Sequence, residues 1–329
     1  MGAPLKAWIS AARLRTLPLS ISGILMGISC AYFMGNIPKI QSGLNPAYFD
    51  PYFEIRLWKI AALGLITTLL FQILSNFAND YGDGTKGTDN DKRIGPIRAI
   101  QSGLIRPSQM KRAVIITSIL SFISAVALIS VSLGFKQLLI ALFFLVLGVA
   151  AIWAAIKYTV GDDAYGYSGL GDLFVFIFFG PVSVMGIYYL VLQQFNIFLI
   201  LPSLTIGLLS VAVLNLNNMR DIENDQVSGK NTVVVKIGLA KAKVFHLSLI
   251  AVAFVSLIYY LLHLKSLYSE STILIFFPLV AFTPLIAHCI KVLKNDVPAL
   301  FDPELKKVAL STFLLSLITL IVLISITIN

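Results

Sequence analysis

Apolar runs of about 20 residues recur along the chain, at roughly 17–35, 57–76, 113–134, 137–156, 171–192, 195–216, 244–263, 272–290 and 308–328. At about 1.5 Å per helical residue, each is long enough to cross a hydrocarbon core of roughly 30 Å. A backbone in that environment must satisfy its own hydrogen bonds, so the pattern predicts nine transmembrane helices and an all-α polytopic membrane protein. The polar positions are gathered rather than dispersed. Residues 81–112 and 219–243 form the two long polar connections, and a shorter one covers 157–172. Gly82, Gly84, Gly87, Gly95, Pro96, Gly103 and Pro107 punctuate the first, which predicts an irregular functional loop. No short-period repeat or soluble module interrupts the pattern, and residues 1–329 are expected to form one membrane domain.

Composition removes the alternatives to a membrane protein. With 57% hydrophobic and 12% charged residues and a mean hydropathy of +0.87, the chain is too apolar for a water-soluble core. A net charge of +9 would point to nucleic acid in a soluble domain, but here the basic residues follow the expected spans. Of the 25 Lys and Arg, 20 fall in the N-terminal segment and alternate loops, including both long ones, and 5 fall on the other side. This positive-inside bias predicts a cytoplasmic N-terminus and cytoplasmic polar loops, and it leaves no call for a nucleic-acid partner. Cys30 and Cys289 lie within apolar runs without metal-ligand spacing. His246, His263 and His288 are scattered along the sequence and read as packed or interfacial side chains. Tyr165 and Tyr167 read as interfacial aromatics, and Asp302 as a solvated surface charge.

The acids in the long connections carry the chemistry. Asn76, Asn79, Asp80 and Asp83 stand three or four apart and share one face if the preceding helix continues; Asp221 and Asp225 repeat the spacing after another apolar run. Carboxylates at the end of a membrane helix are costly without a cavity, partner or cation. Carboxylate and amide oxygens suit Mg²⁺, which is commonly held by one or two carboxylates together with phosphate oxygens. Arg98, Lys157, Arg220 and Lys230 supply positive charge in the same loops. Two such clusters predict a site for a lipid diphosphate whose leaving group needs charge neutralisation. Asp80-x-x-Asp83-Gly84 also mimics the start of a CDP-alcohol phosphotransferase motif, without the Ala-Arg that should follow. A transporter would place its charges nearer mid-membrane.

These residues resemble the UbiA superfamily of intramembrane prenyltransferases, whose two motifs read Asn-x-x-x-Asp-x-x-x-Asp and Asp-x-x-x-Asp. Asn79 and Asp83 match the first two positions, and Asp221 and Asp225 match the second motif in full. Gly87 stands where the third acid of the first motif is expected, with Asp89 two residues on as its replacement. Asn-Asp-Tyr-Gly-Asp-Gly-Thr-Lys-Gly-Thr-Asp, Gly-Pro-Ile-Arg-Ala-Ile-Gln-Ser-Gly, Tyr-Gly-Tyr-Ser-Gly-Leu-Gly-Asp and Asn-Asn-Met-Arg-Asp-Ile-Glu-Asn-Asp are most similar to the members that act on 1,4-dihydroxy-2-naphthoate. The opening Ala-Arg-Leu-Arg-Thr-Leu-Pro agrees, and Trp153 and Lys157 meet the Tyr-x-x-x-Lys element loosely.

The resemblance implies nine helices around a central cavity with the active site on the cytoplasmic side of a bacterial inner membrane. It implies that Asp80, Asp83, Asp89, Asp221 and Asp225 hold Mg²⁺, and that Asn76, Asn79, Arg98, Arg220 and Lys230 bind the diphosphate of an all-trans polyprenyl diphosphate. Asp80, Asp83, Asp221, Asp225 and Lys157 are the expected catalytic residues. The implied reaction prenylates 1,4-dihydroxy-2-naphthoate with loss of CO₂, giving demethylmenaquinol for menaquinone synthesis. A sibling acceptor, 4-hydroxybenzoate, haem or homogentisate, is the alternative.

Overall fold

The computed structural model describes residues 4–42, 52–89, 94–134, 137–267 and 273–328. Among the described residues there is no strand, and nine helical stretches are long and apolar enough to span a bilayer. A short helix α1 (Leu5–Ala12) leads through a 3₁₀ turn (Leu14–Thr16) into α2 (Leu17–Ser42). Then follow α3 (Phe53–Lys86), α4 (Pro107–Leu133) and α5 (Leu138–Lys157). The fifth span consists of α6 (Gly171–Ile177) and α7 (Ser183–Leu192), joined by a π turn at Phe178–Val182. Pro181 sits in that turn, where its missing N–H and its ring displace the usual hydrogen-bond ladder. The rest comprises α8 (Ile200–Arg220), α9 (Ile222–Val227), α10 (Val233–Leu267, kinked at Gly238), a 3₁₀ stretch Ile273–Phe282 leading into α11 (Thr283–Lys294), and α12 (Phe301–Ile328).

In the interior α2 packs on α7 and α12, and α8 packs on α10 and α12; α3 lies against α4. On α4 and α5 the apolar side chains of Ile115, Ile119, Leu139, Phe143 and Val146 point outward. Lipid covers such a face at no cost, so these helices need little packing to be stable where they are.

The helix ends differ from the expected ones in the same direction at both acidic clusters. Instead of stopping near residue 76, α3 runs on to Lys86, and α8 runs to Arg220; much of 219–243 is helical as α9 and the start of α10. The polar residues there continue the helices because their spacing turns them inward, onto loops rather than lipid. Gly87 ends α3 in the left-handed conformation (φ 76°), donating its N–H to the Asp83 carbonyl, which also accepts from Thr88 (3.0 Å) and Asp89 (3.4 Å). A left-handed residue is easiest as glycine, which accounts for Gly87 at the third motif position. The wrapped-back chain then brings Asp89 to the site. Residues 90–93, part of the same basic loop, lie outside the described residues.

Candidate active site

Both acidic clusters end up at one end of the bundle, beside a cavity of about 660 Å³. Its polar rim includes Asn76, Asn79, Asp80, Asp83, Arg98 and Lys230, and its body is apolar, with Phe71, Phe144, Phe174, Phe178 and Phe179 in the wall. The rim residues arrive from three places: the last turns of α3, the loop before α4, and the turn between α9 and α10.

Asp83 is the centre of this arrangement. It is buried, with its Oδ1 accepting from the Tyr167 hydroxyl (2.9 Å), its Oδ2 3.1 Å from Arg98 Nη1 and 4.0 Å from Lys230 Nζ. Arg98 Nε lies 3.2 Å from Asp89 Oδ1, and its Nη1 donates to the Asn79 carbonyl (2.9 Å). Burial disfavours the charged form of Arg98, but Asp83 and Asp89 outweigh it and hold its pKa above the ordinary value. For Lys230 the balance runs the same way, with burial opposed by Asp83 and Asp225 and a net upward shift. Both cations are therefore charged at any physiological pH.

The second cluster interlocks with the first through backbone. Asn224 donates to the Thr88 carbonyl (3.0 Å), and the Lys230 N–H returns to the Asp225 carbonyl (2.8 Å). Asn231 N–H bonds the Tyr167 carbonyl (2.9 Å), and Thr88 and Tyr167 share a hydroxyl hydrogen bond of 2.6 Å. Asp225 is buried in this junction. Against α3, the Thr159 hydroxyl reaches the Ala78 carbonyl (3.1 Å) and the Asn79 side chain (3.3 Å). A Cβ at Gly82 would stand 2.7 Å from the Thr159 carbonyl, so glycine is what lets these segments touch.

Several expected site residues have other tasks in this structure. The two oxygens of Asp80 accept the N–H groups of Ala99 (3.2 Å) and Ile100 (3.3 Å), so Asp80 shapes the turn that presents Arg98. The Asn76 amide is spent on the Ala12 carbonyl (2.8 Å) and the Thr16 hydroxyl (3.3 Å), which dock the N-terminal turn. Arg220 is wholly buried and grips Asp221 through both oxygens (3.0 and 2.6 Å) instead of reaching the cavity. Asp302, expected as a bystander on the surface, accepts from Arg220 as well (2.5 Å). Lys157 is half-buried at the last turn of α5 and, like Asp89, Asp221 and Asp225, stands outside the cavity wall. Trp153 faces outward and stacks on Tyr165 at 6.1 Å.

Other residues belong to the site although they read as bland in the sequence. Tyr167 is a ligand of Asp83 rather than an interfacial aromatic; burial first, and then Asp83, push its pKa up and keep it a hydrogen-bond donor. Lys86 lies over its ring at 4.2 Å. The histidines are not scattered in space: His246 and His288 share a 2.8 Å hydrogen bond, and His288 meets Glu304 at 2.8 Å, which ties α10, α11 and α12 together.

Among the described residues no three His, Cys, Asp or Glu side chains are grouped to hold a metal ion unaided. The nearby donors are nonetheless all oxygen, from Asp83 and Asn79 in the cavity wall and from Asp89, Asp221 and Asp225 outside it. That chemistry fits Mg²⁺ shared with phosphate oxygens, since such sites need only one or two carboxylates from the protein.

Comparison with known proteins settles the family. Residues 53–300 match the UbiA prenyltransferase family. The chain belongs to that family. It is 44% identical over 264 residues to the 1,4-dihydroxy-2-naphthoate octaprenyltransferase of Escherichia coli (strain K12), covering 80% of this chain and 78% of that one. It is 38% identical over 314 residues to the Haemophilus influenzae (Rd) protein of the same name, covering 95% and 94%. The fold matches the structure of a UbiA homolog from Archaeoglobus fulgidus bound to DMAPP and Mg²⁺, with a TM-score of 0.54 at 15% identity, over 95% of this chain and 98% of that one. The chain is thus a UbiA-family prenyltransferase with nine membrane-spanning helices among its described residues.

Proposed function

We propose that this prenyltransferase transfers a polyprenyl group from an all-trans polyprenyl diphosphate to 1,4-dihydroxy-2-naphthoate, the acceptor named for the relatives in Escherichia coli and Haemophilus influenzae. The observation that carries the chemistry is the charged rim of Asp83, Arg98 and Lys230 on a cavity whose body is apolar. Arg98 and Lys230 take the diphosphate, and the apolar wall takes the tail. Asp83, Asp89, Asp221 and Asp225 would hold Mg²⁺ together with phosphate oxygens, and the ion would supply charge neutralisation to the leaving group. As the carbon–oxygen bond breaks, the guanidinium of Arg98 and the ammonium of Lys230 stabilise the negative charge that develops on the diphosphate. The allylic carbon is then attacked by the ring carbon bearing the acceptor's carboxylate. A carbon–carbon bond forms, CO₂ departs leaving its bonding electrons in the ring, and aromaticity returns. The product is demethylmenaquinol, which serves menaquinone synthesis after oxidation.

Residues 1–329 act as one domain in this reading. The charge bias of the loops orients the N-terminus and both acidic clusters to the cytoplasmic face of a bacterial inner membrane. The test is a panel of acceptors offered to the purified protein with a radiolabelled polyprenyl diphosphate and Mg²⁺. Prenylated product and CO₂ release with 1,4-dihydroxy-2-naphthoate are expected. Turnover confined to 4-hydroxybenzoate, homogentisate or haem would replace the acceptor, and product with none of them would overturn the reading.

A further inference from the structure

Three tyrosines stand in the polar connection 157–172, and two of their hydroxyls are engaged within the protein. Tyr165 donates to the Ala154 carbonyl (2.8 Å), and Tyr167 bonds Asp83 (2.9 Å) and Thr88 (2.6 Å). Tyr158 differs: it is half-buried in the cavity wall, and its hydroxyl has no hydrogen-bond partner among the described residues. The turn that follows holds its ring in place. Gly166 donates its N–H to the Tyr158 carbonyl (3.0 Å), and a Cβ at Gly166 or Gly171 would stand 3.1 or 2.9 Å from carbons of the ring. The glycines of Tyr-Gly-Tyr-Ser-Gly-Leu-Gly-Asp thus let the chain close around Tyr158. Burial first, and then Asp172, Asp83 and Asp225, push the pKa of the phenol up against the opposing effect of Arg98, so it is a neutral donor at physiological pH. A donor of this kind needs an acceptor, and the cavity is where one can come from.

Tyr158 stands where the charged rim meets the apolar body. Lys230 Nζ, 4.0 Å from Asp83 Oδ2, lies 6.0 Å from the centre of its ring. From Tyr158 a ladder of rings continues along the wall: Tyr165 meets it T-shaped at 5.5 Å, Phe174 stacks on Tyr165 at 4.1 Å, and Phe178 follows at 6.3 Å. A prenyl diphosphate with its phosphates on Arg98 and Lys230 and its tail along Phe174 and Phe178 has its scissile carbon–oxygen bond beside Tyr158. We propose that Tyr158 is a catalytic residue of prenyl transfer: its unengaged hydroxyl donates to the diphosphate oxygen on which charge gathers as the carbon–oxygen bond breaks. The bonding electrons go to that oxygen, and the phenol shares its proton without giving it up. Because the hydrogen bond strengthens as the charge develops, it acts on the rate more than on substrate binding. This rests on the reading that the rim holds a prenyl diphosphate.

The test uses the full-length protein in detergent with Mg²⁺. Tyr158→Phe removes the oxygen and keeps the ring. It is expected to lower kcat by about 10- to 100-fold, as for one lost hydrogen bond to a charged group, with KM for the polyprenyl diphosphate within about 3-fold of wild type. Replacing Tyr158 by 3,5-difluorotyrosine, a more acidic phenol and a stronger donor, should match or exceed the wild-type rate. A hydroxyl that only braced the fold would not respond to acidity. Equilibrium dialysis identifies the oxygen that the hydroxyl serves. In Tyr158→Phe, inorganic diphosphate should bind about 10-fold more weakly, while 1,4-dihydroxy-2-naphthoate stays within about 2-fold. The reverse pattern assigns the hydroxyl to the acceptor's carboxylate and overturns the proposal, as does equal loss of both ligands, an unchanged kcat, or a difluorotyrosine enzyme as slow as Tyr158→Phe. If the wild-type protein binds no diphosphate, the reading of the rim itself fails; if it binds diphosphate and Tyr158→Phe binds it equally well, only the role of Tyr158 fails.

Discussion

Changing Asp83 to Asn keeps the shape of the side chain and removes one charge, and the structure makes the outcome for stability specific. Seen in the sequence, Asp83 sits in a crowd of acids, and relief of repulsion would raise stability. In the fold it is a buried carboxylate between two buried cations, with Arg98 Nη1 at 3.1 Å and Lys230 Nζ at 4.0 Å, whose side chains are only 11% and 9% exposed. At an effective dielectric of about 20, the gross attractions are on the order of 5 and 4 kcal/mol. Breaking a buried pair by removing one partner costs roughly 3–5 kcal/mol net. The lower end applies because Arg98 keeps Asp89 (3.2 Å) and the Asn79 carbonyl (2.9 Å). A loss of about 3 kcal/mol in a chain of this size lowers Tm by roughly 5 °C. The assay is thermal unfolding of the metal-free protein in detergent, with Asp163→Asn as the control because Asp163 is exposed; that change should stay within about 0.5 kcal/mol. The rate of prenyl transfer by Asp83→Asn should fall by about 100-fold or more at saturating Mg²⁺. An unchanged or raised Tm, with a rate near wild type, would refute the account of Asp83 as the counter-charge of a desolvated pair.

Other expectations follow from the same geometry. Tyr167→Phe deletes the hydroxyl that bonds Asp83 at 2.9 Å and Thr88 at 2.6 Å, and a hydrogen bond to a charged group is worth about 1.5–3 kcal/mol. A fall of roughly 10- to 100-fold in kcat/KM is expected, and wild-type kinetics would remove Tyr167 from the site. Excess EDTA should abolish turnover, with recovery on adding Mg²⁺, because the rim offers only oxygen donors; full activity in the chelator would exclude a divalent cation. Cysteines introduced at Thr88 and Ser228 should react with an impermeant thiol reagent only from the cytoplasmic side, and labelling from the opposite side would invert the orientation.

The spans were legible because an apolar run of about 20 residues has few other uses, and the grouping of Asn76, Asn79, Asp80 and Asp83 on one helix was legible through their spacing. The helix ends were not. Residues 77–86 look like a loop by polarity, yet continue α3 because their polar face meets protein rather than lipid. Asp80 and Asp83 are three residues apart and look alike, but one caps the turn at Ala99 and Ile100 while the other meets Arg98; only the path of the following loop distinguishes them. Tyr167 and Asp302 lie far in sequence from Asp83 and Arg220, the residues they touch, and nothing in their immediate neighbours marked them. His246 and His288 each sit alone in an apolar run, and it is the packing of α10 against α11 that brings their Nε2 atoms to 2.8 Å.

The claim on which the rest depends is that the two acidic clusters together hold a divalent cation against the diphosphate at the mouth of the cavity. Anomalous scattering from Mn²⁺ tests it directly, in crystals grown with a non-hydrolysable polyprenyl thiodiphosphate. The account predicts a peak within about 2.5 Å of an oxygen of Asp83 or Asp89, of an oxygen of Asp221 or Asp225, and of the thiodiphosphate, consistent with oxygen ligation of a hard cation. The tail should lie along Phe144 and Phe174, and the diphosphate against Arg98 and Lys230. A bound thiodiphosphate with its metal elsewhere, or with no metal and with Asp83, Asp89 and Asp221 still paired to Arg98, Lys230 and Arg220, would contradict it.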